Sequence, residues 1–138
     1  MDRVGLGFLL AGAYNTLILV VSRGLSNDIG VLDPLFSPDG CVGVLLWGVA
    51  YAAMYDRYAT APAISAVFAA EKAFYAGHWA LWLAANAATL VPLAGADPLT
   101  AVFLAGYGLV DAAFMVFFGW VAWTHRSAAG GLGGAAAS

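Results

Sequence analysis

Residues 71 to 89, EKAFYAGHWALWLAANAAT, constrain this chain more than any other stretch. The segment is apolar enough for a membrane, yet Glu71, Tyr75, His78, Trp82 and Asn86 recur at steps of four, three, four and four. That spacing places them on one face of a helix. Lipid offers a polar stripe no hydrogen-bond partners, so this face must meet protein or water. Other helices are therefore expected to pack around it.

Composition points the same way. Hydrophobic residues make up 63% of the chain and charged residues 9%, whereas a soluble domain is roughly a quarter charged. These proportions belong to a polytopic membrane protein of one domain. A net charge of −3 gives no reason to expect a nucleic-acid partner. The single cysteine, Cys41, excludes an intramolecular disulfide and a cysteine-based metal cluster. The opening run MDRVGLGFLLAGAYNTLILVV exceeds a typical signal-peptide core and no A-x-A-like site follows it. It reads as a retained helix.

Four crossings follow along the chain. The first is expected from about Val4 to Ser22, close to the ~20 residues a bilayer requires. Residues 23–39 form the longest connection, a surface loop whose Ile29, Val31, Leu32, Leu35 and Phe36 dip into the interface. The second helix starts at Ser37-Pro38, an N-cap followed by proline, and runs to about Tyr58. Within it Gly48 and Ala52 form a small-xxx-small pair for close helix contact. The third starts near Pro62 and ends just before Pro92; the fourth follows Asp97-Pro98 and runs to about Thr124. The expected fold is all-α, an antiparallel bundle of four transmembrane helices over residues 1–126, with a disordered Gly/Ala-rich tail over 127–138. Four crossings put Arg3, Arg57 and Arg126 on one side and Arg23 on the other, so both termini are expected in the cytoplasm. The corresponding location is the cell membrane of a bacterium or archaeon.

The polar residues inside the helices are the candidate site. Asn15, His78 and Asp111 fall near the middle of the first, third and fourth helices, if the third inserts over its full length. A carboxylate in a low-dielectric interior needs a partner or a proton, and histidine exchanges protons near neutral pH. A His78–Asp111 contact would suit a proton relay or a polar binding site. The plainer alternative is that these groups only hold helices together by hydrogen bonds. Glu71 and Lys72 are adjacent and point about 100° apart, so they make a poor pair with each other. Lys72 then either snorkels to the inner interface or reaches Asp111. Tyr107 and Asp111 are four apart on one face, so Tyr107 is placed to donate to the carboxylate. Tyr75 and Asn86 complete the set through the stripe. No H-E-x-x-H, G-x-S-x-G or phosphate-binding loop occurs, and His78 and His125 lie too far apart in depth for a bis-histidine haem. No catalytic residue, metal site or cofactor is assigned.

The ordering resembles small bacterial four-helix membrane proteins of the DoxX-like type. The shared features are G-A-Y-N at Gly12 to Asn15, E-K at Glu71 and Lys72, and the central acidic Asp111. The resemblance covers the four helices and not the tail. His78 and the aromatic richness of the third helix are not matched to that group. The resemblance implies the fold more than an activity, and for some members a link to respiratory or redox complexes. The expected function is that of a small integral membrane protein that binds a small ligand, or assists a membrane redox or transport complex, through a polar site in the bundle core. The alternatives are a proton-coupled carrier using Glu71, His78 and Asp111, and a purely structural subunit. Expected partners are the bilayer and either a second copy or a membrane complex.

Overall fold

The computed structural model of the chain describes residues 2–26 and 28–130, the last four as backbone. It is all-helical, with no strand among the described residues. Its elements are α1 (Arg3–Thr16), α2 (Ile18–Val21), α3 (Ile29–Leu32), a 3-10 turn (Pro34–Phe36), α4 (Pro38–Ala53), α5 (Pro62–Ala96) and α6 (Pro98–Gly130). Three helical stretches, Arg3–Val21, Pro62–Ala96 and Pro98–Arg126, are long and apolar enough to cross a membrane. α4 is equally apolar but has 16 residues, about 24 Å of helix at ~1.5 Å per residue.

Capping chemistry sets most of the boundaries. Ser37 Oγ accepts from Gly40 N at 3.2 Å and starts α4. Asp97 does the same for α6, accepting from Thr100 N at 3.2 Å and from Thr100 Oγ1 at 2.8 Å. These two Thr100 bonds hold the Asp97 carboxyl below its usual range. Asp2 caps α1 through Gly5 N and also accepts from the Tyr58 hydroxyl. The Tyr58 bond first, and the Gly5 amide second, hold its carboxyl below the ordinary value.

Four boundaries differ from expectation. The first apolar run is interrupted at Leu17, whose N–H turns back to Tyr14 O while Thr16 Oγ1 donates to Ala13 O at 2.6 Å. α4 stops at Ala53 rather than Tyr58, and tight turns carry the chain to Thr60. Burial explains the change: Met54 and Tyr58 fold inward against Phe8 and its neighbours. Pro92 lies inside α5, not beyond its end. It stands little more than a turn before Ala96, where few backbone bonds remain to be lost. α6 continues four residues past Arg126 to Gly130; the rest of the expected tail lies outside the described residues.

The helices close on each other through small residues. A Cβ on Gly12 would stand 2.8 Å from Gly48 O and 3.4 Å from Ala52 Cβ, so α1 and α4 touch backbone to backbone. Gly108 gives the Trp79 ring its place between α5 and α6, and Trp79 Nε1 donates to Leu104 O at 3.1 Å. Gly106, two residues earlier, faces open space.

Two apolar clusters result. One gathers Phe8, Ala11, Tyr51, Met54, Tyr58, Phe68, Phe118 and Val121. The other gathers Ile18, Val21, Ile29, Phe36, Cys41, Val44, Trp82, Leu104 and Tyr107. Asp2, Tyr58 and His125 meet beside the first, with the Tyr58 and His125 rings 5.3 Å apart. At the opposite end Arg23 pairs with Asp97 at 2.9 Å and with Asp28 at 3.6 Å. Arg23, Gly24 and Leu25 all take positive φ, the sharp reversal that aims Arg23 at Asp97.

Replacing Gly12 with valine should force α1 off α4. The expected loss is roughly 1–3 kcal/mol, the usual cost of overpacking. Gly106→Ala, which meets nothing, should stay within about 0.5 kcal/mol of wild type. Denaturant unfolding in detergent, followed by circular dichroism, measures both; equal stability of the two variants would contradict the Gly12–Gly48 contact.

Candidate functional site

Between the two apolar clusters lies a polar layer. On α1 it falls at Asn15, after Ala11 and before Ile18; on α5 at Lys72, after Phe68 and before Trp82; on α6 at Asp111, between Tyr107 and Phe118. All three residues are buried, Lys72 with 2% of its surface exposed. Lys72 Nζ donates to Asp111 Oδ1 at 2.7 Å and to Asn15 Oδ1 at 3.1 Å. Asn15 Nδ2 in turn donates to Val44 O of α4 at 2.9 Å. Three helices thus meet at one ammonium, and the fourth is tied to it through Asn15.

Aromatic rings complete the enclosure. The Lys72 ammonium sits 5.2 Å from the Tyr51 ring centre, 5.8 Å from that of Tyr14 and 5.9 Å from that of Tyr75. Such faces attract a cation through their quadrupole. Glu71, turned about 100° from Lys72 by helical geometry, instead accepts a hydrogen bond from the Tyr51 hydroxyl of α4. Adjacent charges in the sequence therefore serve different neighbours.

Of the two partners the sequence offers Asp111, Lys72 reaches it and His78 needs correction. His78 does not reach it. His78 lies six residues beyond Lys72, about 9 Å further along the axis, and its Nε2 stands 3.0 Å from both carboxylate oxygens of Asp33. Asp33 was assigned to a surface loop, yet it is fully buried. Its Oδ1 also accepts from Leu35 N at 3.0 Å and so caps the 3-10 turn. The apolar residues around it carry it inward: Ile29 and Phe36 are both 2% exposed, although Val31 of the same set is 85% exposed. Trp82 Nε1 adds a second tie from α5, donating to Leu32 O at 3.1 Å.

The remaining candidates separate from the centre. Tyr107 does not donate to Asp111; its hydroxyl is buried without a hydrogen-bond partner. Its ring packs edge-on against Phe36, 5.0 Å away. Asn86 turns back to Trp82 O of its own helix at 2.9 Å and joins no cluster. Asp33, Tyr51 and Tyr14 are the site residues sequence reasoning passed over. Tyr51 shares a face with Val44 and Gly48, a spacing that signals its inward direction, and Tyr14 stood beside Asn15. Nothing in the sequence signalled the burial of Asp33 beyond its position before Pro34, which matches the cap-and-proline pattern of Asp97.

A cavity of about 210 Å³ opens beside this centre. Its polar wall is formed by Asn15, Glu71, Lys72, Tyr75 and Tyr107. Its remaining lining is mostly apolar, with Ile18, Val21, Phe36, Val44 and Phe103. Leu17, Val20, Leu99 and Val102 also line it, and these four are exposed on the outer surface of the helices. The cavity is therefore a groove between α2 and the start of α6, apolar over nearly all of its surface, with the polar side chains at its inner wall. No family model matches the chain, and no curated protein or solved structure matches it either.

Removing one partner of a buried ion pair strands the other charge, at a cost of roughly 3–5 kcal/mol. Lys72→Met and Asp111→Leu should each destabilise by about that amount. The double variant should be much closer to wild type, because no charge is left buried. A double-mutant cycle of unfolding free energies in detergent measures the coupling; additive single effects would show that the pair does not act as one unit.

Proposed function

We propose that this chain is a small integral membrane protein, an antiparallel bundle of four transmembrane helices, that binds a small ligand in the groove beside Lys72 and Asp111. The observation that carries the reading is the groove itself. A mostly apolar groove with a few polar side chains at its inner wall is how small-molecule sites are built. A buried pair of ionisable side chains in a membrane interior is a functional candidate by default. The fourth crossing is α4, short by itself and extended by the turns on either side of it. Two sets of contacts support the alternation of helix ends: Asp2, Tyr58 and His125 at one end, Arg23, Asp28 and Asp97 at the other. The arginine distribution puts the first end, with both termini, in the cytoplasm of a bacterial or archaeal cell. The resemblance to DoxX-like proteins belongs to the same proposal and suggests service to a membrane redox or transport complex.

A second reading, a proton-coupled carrier, has one observation in its favour. Tyr51–Glu71, Lys72–Asp111 and His78–Asp33 form successive titratable couples along α5. Proton flux into liposomes, reported by an internal pH dye and lost in Asp111→Asn, separates a carrier from a binding protein. A purely structural subunit would instead copurify with its complex while carrying no ligand.

Topology is testable with single cysteines in a Cys41→Ala background. Asp28→Cys should react with a membrane-impermeant maleimide in intact cells, and Arg57→Cys only after lysis. Reaction of both from outside would overturn the four-crossing arrangement. The binding reading predicts a small molecule retained through purification in mild detergent and seen by native mass spectrometry. Val20→Trp, at the exposed rim, should remove it without loss of the folded protein. A wild-type preparation that carries nothing and acquires nothing from a total lipid extract would refute ligand binding.

A further inference from the structure

We infer that the groove takes an uncharged lipophile bearing one hydrogen-bonding oxygen, a carbonyl or hydroxyl, at its inner end, and that this ligand enters sideways from the lipid. The inference rests on the reading of the groove as a ligand site and adds the ligand's class and route.

The route follows from the rim. Val20 is 59% exposed and Val102 73% exposed, on the outward surfaces of α2 and α6. Both surfaces are apolar and would meet acyl chains, so the entrance faces lipid rather than water. Size follows from the volume. An apolar cavity of ~150 Å³ holds a benzene-sized guest, and this one measures about 210 Å³. It accommodates one ring or a short chain, with a longer tail left outside between lipids.

Charge selects the head group. An anion would need a free cation, and the lysine here is already engaged by Asp111, Asn15 and three tyrosine rings. Glu71 lines the same cavity and gives an anion no welcome. A cation would have to sit beside the Lys72 ammonium. No arginine lines the cavity, so no further positive charge alters this balance. An uncharged oxygen avoids both conflicts and avoids the cost of carrying a charge through lipid. Tyr107 supplies an unspent hydrogen bond for it. This residue is 3% exposed and lines the cavity, and its hydroxyl is buried behind the wall without a hydrogen-bond partner in the protein. A buried hydroxyl left unsatisfied costs stability, and a ligand oxygen relieves that cost once the side chain turns its hydroxyl toward the cavity.

The test uses three photoprobes of equal chain length, each with a diazirine in the tail: a methyl ketone, a carboxylate and a trimethylammonium. The full-length protein is reconstituted in phosphatidylcholine vesicles, irradiated and mapped by peptide mass spectrometry. The ketone should label groove residues about tenfold more than either charged probe, roughly the discrimination one hydrogen bond provides. Val102→Trp should block that labelling. Tyr107→Phe should lower it several-fold while thermal stability in detergent stays equal or rises, since the lost hydroxyl bonds nothing in the protein. Preferential labelling by a charged probe, still blocked by Val102→Trp, would overturn the ligand class and leave the binding site standing. Labelling by no probe, or labelling indifferent to Val102→Trp, would overturn the ligand-site reading with it. A drop in stability of Tyr107→Phe equal to its drop in labelling would remove Tyr107 from recognition.

Discussion

The contact on which the rest depends is the pair between Lys72 and Asp111. Neither charge is tolerable alone in an interior of low dielectric. Together, at 2.7 Å, and with Asn15 as a third partner, they form a compact and nearly neutral unit. The unit fixes rotation as well as separation. Once Lys72 points at Asp111, the geometry of α5 turns Glu71 toward α4, where the Tyr51 hydroxyl meets it. The same rotation sets His78 and Trp82 against the segment that holds Asp33 and Leu32. Apolar packing is non-directional and would accept several rotations of such a helix. The polar contacts select one.

That selection requires close approach elsewhere. Asn15 reaches Val44 O only because Gly12 and Gly48 let α1 and α4 touch. The Tyr51 ring is 4.8 Å from Phe68 and 5.0 Å from Phe118, ring centre to ring centre. Its body thus belongs to the apolar cluster while its hydroxyl serves Glu71 in the polar layer. Small residues and amphipathic rings are therefore two halves of one device. The first shortens the distance between backbones, and the second carries a polar tip across the boundary between core and site.

Much of this was legible in the sequence, and what was not has identifiable causes. Helix starts at Pro38, Pro62 and Pro98 were readable because proline at the first helical position is a local signal. The inward direction of the α5 stripe was readable because a four-three period is geometric. Pairing was harder. The inward direction of Asp111 was legible, and it is buried, but its partner depends on the relative axial shift of α5 and α6, which no period encodes. A shift of about six residues decides between Lys72 and His78. Asp33 was misplaced because loop composition suggested a surface. Its burial comes from tertiary contacts of Ile29 and Phe36, not from anything local. The end of α4 was overrun for the same reason, since Met54 and Tyr58 leave the helix to fill the core. Tyr107 was assigned a hydrogen bond by its four-residue spacing from Asp111, yet four-residue spacing brings side chains to one face without guaranteeing contact.

Among the described residues two buried hydroxyls have no hydrogen-bond partner, Ser65 and Tyr107, and the one that lines the cavity bears on function. In this interior most polar groups are satisfied: Asn15 by Val44 and Lys72, Asp33 by Leu35 and His78, Trp79 and Trp82 by backbone carbonyls. A chain that resolves so many conflicts leaves the hydroxyl of Tyr107 unmatched just behind the wall of its cavity. Local rules are most often broken where a site needs them broken. The groove is a second feature, an open apolar cleft that reaches inward to the polar layer. The two coincide, and they border the ion pair that orders the helices. A ligand seated there would touch the element that holds the bundle together, so its binding and the stability of the fold are linked by mass action. Occupancy of the groove would then be felt by every helix through Lys72, with no separate pathway needed to carry the effect.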